Sequence, residues 1–139
     1  MPEAKKIRVV IADDESHVRK YMGTIMKRMN CEIVAEAPDG KAAAQYYSKL
    51  KPHMLLLDIN MPVMSGKNAL KVILKKHPNA FVIMLTSLVD KDTIEDCLRI
   101  GASGYLRKDI PPEEIKPLII SAWKAYKKVR GNNNDKPSA

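Results

Sequence analysis

The sequence predicts a single α/β domain, (βα)5, in which a parallel five-stranded sheet is covered by helices on both faces. Strand-like and helix-like segments alternate five times along the chain. The strand-like segments are almost wholly apolar, as parallel strands buried on both faces are. A length of 139 residues is enough for one such domain with its own core.

The predicted strands are short apolar segments bounded by turn residues or by the start of a helix. They cover residues 7–12, 33–37, 54–57, 81–86 and 104–107. Pro62 follows the third strand and cannot donate to a sheet, so it stops any extension of that strand.

The predicted helices combine boundary signals with apolar residues on one face. Ser16 is the expected N-terminal cap of the first helix. Gly101 closes the fourth helix, and Pro111 and Pro112 open the fifth. The second to fifth helices are expected over residues 41–50, 68–76, 92–100 and 113–129.

The formal charge of +8 is a weak indicator of function, because the 24 Lys and Arg residues are spread along the chain. A modest concentration falls on the last turns of the fifth helix, where cations complement the helix dipole. Aromatic residues make up only 5% of the sequence. This composition disfavours nucleic-acid binding, which typically combines a basic face with interleaved aromatic side chains.

No apolar stretch approaches the length of a membrane span, and the first residues do not resemble a signal peptide. We therefore expect a cytoplasmic protein without membrane insertion. Cys31 and Cys97 are isolated and lack metal-ligand spacing, which favours free thiols over a disulfide. The domain is expected over residues 1–130, with a flexible tail at 131–139 that offers almost nothing to bury.

The apolar run that ends at Asp58 is the most informative segment. A carboxylate costs several kcal/mol to desolvate unless it is paired. Its expected position is the carboxyl end of a strand, where open α/β sheets bind ligands. A functional site is therefore expected at Asp58.

Four more residues are expected at the same edge of the sheet: Asp13, Asp14, Thr86 and Lys108. Converging carboxylates repel one another, and an all-oxygen set suits Mg²⁺. A lysine and a hydroxyl suit phosphoryl oxygens. A carboxylate can itself act as the nucleophile and form an acyl phosphate. The combination therefore predicts phosphoryl transfer.

These residues stand in segments that resemble the receiver domain of two-component response regulators. The segments are VVIADD at 9–14, LDINMP at 57–62 with Gly66, LTS at 85–87 and GASGYLRK at 101–108. The resemblance covers nearly the whole chain. It implies a flavodoxin-like strand order 2-1-3-4-5.

The resemblance also implies a role for each site residue. Asp58 would accept phosphate from a phosphohistidine on a histidine kinase or phosphotransfer protein. Asp14, Asp58 and the Asn60 backbone carbonyl would bind Mg²⁺ directly, and Asp13 would act through water. Such a protein has self-phosphorylation and autodephosphorylation activity only, and is not a conventional enzyme.

The same resemblance implies a switch. Thr86 and Lys108 would hold the phosphoryl oxygens, and inward movement of Thr86 would let Tyr105 rotate. The surface of the fourth helix, fifth strand and fifth helix would then change towards a downstream protein target. A phosphorylation-dependent homodimer is left open, and apolar Leu88 is expected to slow dephosphorylation.

Position 109 departs from the pattern of many receivers. Many of them have proline after the lysine, whereas Asp109 follows Lys108 here, and the bond between the two residues is expected to be trans. This Lys-Asp pair also occurs in receivers fused to helix-turn-helix domains, so the chain could be the receiver part of a DNA-binding regulator.

Two rival functions remain open besides this one. The first is an Asp-dependent phosphohydrolase, although the Asp-x-Asp spacing that such an enzyme places after its first strand is absent. The second is an adaptor that binds its partners without phosphate, which is disfavoured because every phosphorylation residue is present.

Overall fold

The computed structural model describes residues 6–87 and 91–132, except for the side chains of positions 130–132. Five parallel strands form one sheet in the order β2-β1-β3-β4-β5. The fold class and the strand order are confirmed. The strands are β1 Ile7–Ala12, β2 Cys31–Ala37, β3 Met54–Asp58, β4 Val82–Thr86 and β5 Gly104–Arg107.

Two strand starts differ from the prediction. β2 begins at Cys31 rather than at position 33, because Cys31 and Glu32 pair with Ile7 and Arg8 of β1. The exposed Glu32 interrupts the apolar pattern and hides this start in the sequence. β4 begins at Val82, one residue later than expected.

Four helices connect consecutive strands and a fifth follows β5, all with bounds close to those expected. They are α1 Ser16–Arg28, α2 Gly40–Leu50, α3 Gly66–Lys76, α4 Lys91–Ile100 and α5 Pro112–Asn132. α5 contains Gly131 and Asn132, which the sequence assigns to the tail. Positions 133–139 lie outside the described residues, so the flexible tail stays a prediction.

The prediction that Ser16 caps α1 is wrong. The N-cap is Glu15, which makes no side-chain cap hydrogen bond, and Ser16 is the first helical residue. α2 starts at Gly40, one residue before the expected position, because Asp39 caps it by accepting a hydrogen bond from the Ala42 amide at 2.8 Å. α3 starts two residues early because Ser65 caps it through the Asn68 amide at 3.1 Å.

Buried side chains cover both faces of the sheet. Val10, Leu55 and Leu57 pack with α2, α3 and α4 on one face, while Ile11 and Leu56 pack with α1 and α5 on the other. This alternation follows from the two-residue period of a strand. The central strands therefore hold the residues at their carboxyl ends on a rigid base.

None of the described helices is long and apolar enough to cross a membrane. Cys31 and Cys97 are free thiols, and both are buried. No peptide bond among the described residues is cis, so the Lys108–Asp109 bond is trans as expected.

Candidate functional site

The carboxyl edge of the sheet brings the predicted site residues together. Asp58 and Thr86 are the last residues of β3 and β4, and Asp13 and Lys108 follow β1 and β5 closely. Backbone hydrogen bonds continue the sheet beyond the strands. The Asp13 amide donates to Ala37 O at 3.0 Å, and the Lys108 amide donates to Thr86 O at 2.8 Å. These backbone hydrogen bonds thus fix the Cα positions of Asp13 and Lys108.

The ammonium group of Lys108 lies between two buried carboxylates. Its Nζ atom is 2.6 Å from Asp13 Oδ2 and 3.2 Å from Asp58 Oδ1. Asp13 is fully buried and Asp58 is 4% exposed. Buried charges need such a partner, because each loses its hydration on folding. Lys108 therefore neutralises part of the acidic edge.

One lysine does not compensate both carboxylates. Burial, followed by repulsion from Asp13, raises the pKa of Asp58 to about 6, although Lys108 and the Asn60 amide oppose the rise. Burial also disfavours the charge on Lys108, but its contacts with Asp13 and Asp58 outweigh this effect and raise its pKa. The edge consequently holds an excess of negative charge near neutral pH.

Asp13, Asp14 and Asp58 form an acidic cluster. Each offers a carboxylate oxygen, and these oxygens all lie within 4.8 Å of one another. Asp14 is exposed, so solvent reaches the cluster. Asp13 Oδ2 accepts no hydrogen bond of regular geometry, although Lys108 lies beside it. An oxygen-only, under-compensated and solvent-accessible cluster fits a hard divalent cation such as Mg²⁺.

The loop after Asp58 is held in a tight conformation. Val63 has a φ of 68°, and the Met64 amide donates to Pro62 O at 2.6 Å across this turn. A β-branched residue rarely adopts such a φ, and strained backbone is concentrated at functional sites. Gly66 then returns the chain to Asp58, because its amide donates to Ile59 O at 2.8 Å.

Thr86 and Tyr105 are positioned differently from each other. Thr86 is buried with 5% exposure, whereas Tyr105 is 46% exposed on β5. Tyr105 lines a groove of about 220 Å³ between α4, β5 and α5, together with Leu98 and Leu118. The groove leaves the ring room to change its orientation.

Sequence reasoning missed Arg19. Its Nη1 atom donates to the backbone oxygen of Asp13 at 2.7 Å, and its Nε atom bonds Glu36 Oε1 at 2.9 Å. Arg19 thereby ties the segment after β1 to β2. The sequence carries no distinctive signal for this contact, since Arg19 is an ordinary helix residue there.

Asn60 and Leu88 are two further residues that the sequence places at the site, and the structure describes only Asn60. The Asn60 amide lies 3.4 Å from Asp58 Oδ1, which places this residue beside the cluster. Leu88 lies outside the described residues.

Fold and site together define an α/β domain whose sheet edge carries an acidic cluster, a lysine and a threonine. The profile of the response regulator receiver domain matches residues 9–120. The chain belongs to this family, and it is therefore a receiver domain of two-component signalling. Receiver domains bind Mg²⁺ at an acidic pocket, take phosphate from histidine kinases and act on downstream targets.

Named relatives agree with this assignment. The transcriptional regulatory protein LnrK of Bacillus subtilis is 31% identical over 152 residues, covering 95% of this chain and 69% of LnrK. The chemotaxis protein CheY of Thermotoga maritima is 32% identical over 108 residues, covering 78% of this chain and 90% of CheY. A chain of the CheX-CheY-BeF3-Mg²⁺ complex from Borrelia burgdorferi superimposes with a TM-score of 0.81 at 28% identity, covering 84% of this chain and 89% of that chain.

Proposed function

We propose that Asp58 accepts a phosphoryl group from a phosphohistidine on a histidine kinase or phosphotransfer protein in the cytoplasm. The observation that carries this proposal is the position of Lys108 Nζ, 3.2 Å from Asp58 Oδ1 and 2.6 Å from Asp13 Oδ2. A fixed cation beside a carboxylate nucleophile is what phosphoryl transfer requires, because the reaction depends on positioning and charge neutralisation.

The transfer forms a bond between an Asp58 carboxylate oxygen and phosphorus and breaks the bond from phosphorus to the donor nitrogen, which leaves with its electron pair. Contacts of Asp58 with Lys108 and the Asn60 amide both fall on Oδ1. We therefore assign the attack to Oδ2. Lys108 stays protonated and binds a phosphoryl oxygen, and the Thr86 hydroxyl donates to another. Attack of water on phosphorus later releases phosphate and restores the carboxylate.

Asp13, Asp14, Asp58 and the Asn60 backbone carbonyl are the groups that we propose hold Mg²⁺. When bound, this ion would neutralise charge on the transferring phosphoryl group. The resemblance to receiver domains implies that Asp13 contacts the ion through a water molecule. Oδ2 of Asp13 is paired with Lys108 in this structure.

The switch would run from Thr86 to Tyr105. A phosphoryl group on Asp58 would draw the Thr86 hydroxyl inward, and Tyr105 could then turn into the vacated space. Tyr105 already lines the groove between α4, β5 and α5, so its movement would reshape that face for a downstream protein or a second receiver.

The central experiment is incubation with acetyl phosphate and Mg²⁺, followed by intact mass measurement. Wild-type protein should gain one phosphoryl group, whereas Asp58→Asn should gain none because its amide is not a nucleophile. Asp92→Asn, an exposed carboxylate on α4, is the matched control and should gain one. Equal incorporation by Asp58→Asn would refute the assignment.

Asp14→Asn should separate metal binding from folding. Asp14 is exposed, so the free energy of unfolding without metal should change by less than about 0.5 kcal/mol. The affinity for Mg²⁺, measured by titration calorimetry, should fall about tenfold or more. Glu15→Gln removes the neighbouring exposed carboxylate outside the cluster and should leave the affinity unchanged. An equal loss in both variants would argue against a ligand role for Asp14.

A receiver part of a longer DNA-binding regulator is the second candidate. LnrK is a transcriptional regulatory protein, and this chain covers 69% of it. A native reading frame that continues into a helix-turn-helix segment would favour this candidate. Family membership argues against the phosphohydrolase, and the phosphate-independent adaptor predicts that Asp58→Asn retains full signalling.

A further inference from the structure

The face formed by α2 and α3 has an unusual charge. From Gly40 to Val89 the sequence contains seven lysines, and its single acidic residue is the buried Asp58. Among the described residues only one of these lysines, Lys67, forms an ion pair, which joins it to Asp96 of α4. Apart from Lys67, the lysines on the outer face of these two helices have no carboxylate partner among the described residues.

A groove of about 490 Å³ runs along this face. Its rim carries Lys41 and Lys49 of α2 and Lys76 of α3, and none of the three has an ion-pair partner among the described residues. Between these lysines the lining combines apolar Ala44, Met64 and the 40% exposed Val72 with polar Gln45 and Ser48. A charged rim around a floor that carries apolar side chains is the usual layout of a protein-binding groove.

The dimensions suit a helix. The groove lining extends along α2 from Lys41 to Lys49. At 1.5 Å per residue this is about 12 Å, or about two turns of a docked helix. An amphipathic helix could lay apolar residues at i, i+3/i+4 and i+7 on this floor. Acidic residues beside that seam would face the three lysines.

Nucleic acid fits the groove less well. The groove lining contains neither an aromatic side chain for base stacking nor an arginine for bidentate contacts. The apolar side chains of Ala44, Met64 and Val72 would also gain no contact from a phosphate backbone bound to the lysines.

We propose that the α2–α3 groove binds an acidic amphipathic helix of a partner protein. This contact is separate from the α4, β5 and α5 face and does not require phosphate on Asp58. Met64 of the groove lies in the loop after Asp58, and its backbone oxygen accepts a hydrogen bond from the Gly40 amide at 3.0 Å. A bound helix would thus contact the loop next to the phosphoacceptor.

The test uses a labelled peptide of about 15 residues with a leucine seam flanked by glutamates. Its binding to the full chain is followed by fluorescence anisotropy, and amide shifts in NMR locate the site. We expect micromolar binding that weakens with salt, with shifts confined to α2, α3 and the loop between β3 and α3. A peptide of the same composition with a scrambled seam should bind at least tenfold more weakly.

Two charge-matched triple variants locate the contact. The affinity for the peptide should fall at least tenfold in the variant Lys41→Glu/Lys49→Glu/Lys76→Glu. It should stay unchanged in the variant Lys124→Glu/Lys127→Glu/Lys128→Glu on α5. All six side chains are exposed, and far-ultraviolet circular dichroism checks that both variants fold. The proposal is overturned if the two variants lose binding equally, if the seam does not matter, or if single-stranded DNA or phosphatidylserine vesicles bind this groove more tightly than the peptide.

Discussion

Asp58→Asn is expected to stabilise the metal-free protein near neutral pH by about 3 kcal/mol. The wild-type carboxylate is 4% exposed and lies beside Asp13, and its pKa is raised to about 6 from an ordinary 3.8. A pKa difference of about 2 corresponds to about 3 kcal/mol of unfavourable environment for the charged form. Asparagine keeps the shape and removes this charge, while Lys108 keeps its partner Asp13.

The pH dependence has a definite sign. Between about pH 4 and pH 6 the folded chain holds a proton on Asp58 that the unfolded chain has released, so the contribution of Asp58 to stability falls as pH rises. Above about pH 6 both states are ionised and the full cost is present. The advantage of Asp58→Asn should therefore be complete above that pH and disappear near pH 4.

Urea denaturation of both proteins across this pH range, without metal, measures the difference directly. Mg²⁺ should raise the free energy of unfolding of wild type and reduce the difference, because the ion would relieve the repulsion that asparagine removes. A difference that does not vary with pH would show that ionisation of Asp58 is not its source.

The sequence predicted the site residues correctly where a single chain segment determines both the local fold and the position of the side chain. The apolar run before Asp58 predicted both the strand and the buried carboxylate at its end, and the same logic located Asp13, Thr86 and Lys108 at that edge. The direct pairing of Lys108 with Asp13 was not predictable, because it depends on how segments nearly a hundred positions apart in the chain come together. Arg19 was missed for a different reason: its partners Asp13 and Glu36 are close in the chain, but nothing in the sequence distinguishes it from the other polar residues of the first helix.

Two serines show the limit for local signals. Ser16 and Ser65 both stand where a helix begins, yet only Ser65 is a cap. At the first helix, Asp13 Oδ1 accepts the Glu15 amide at 2.9 Å, and the helix begins one residue before the position that a Ser16 cap would allow. The N-cap is thus a residue whose amide is bound by a site carboxylate, and this arrangement cannot be read from Ser16 alone.

Gly66→Ala is the substitution expected to damage the site most. A Cβ atom at position 66 would lie 1.9 Å from the backbone oxygen of Asp58 and 2.8 Å from its carbonyl carbon. Backbone atoms cannot turn aside as a side chain does, so α3 would have to move away from β3. The free energy of unfolding should fall by about 3 kcal/mol, and Asp58 should accept phosphate from acetyl phosphate more slowly.

Gly23→Ala is the matched control in the same molecule. A Cβ there would meet only Ile11 Cδ1 and Ile33 Cγ1, both at an ordinary contact distance of 3.9 Å. Alanine also suits the interior of α1, so this variant should gain about 0.5–1 kcal/mol. Urea denaturation followed by circular dichroism compares the two. Opposite signs would show that Gly66 is required because the backbone of Asp58 occupies the space of its missing side chain, whereas a similar loss in both would point to a general intolerance of added volume.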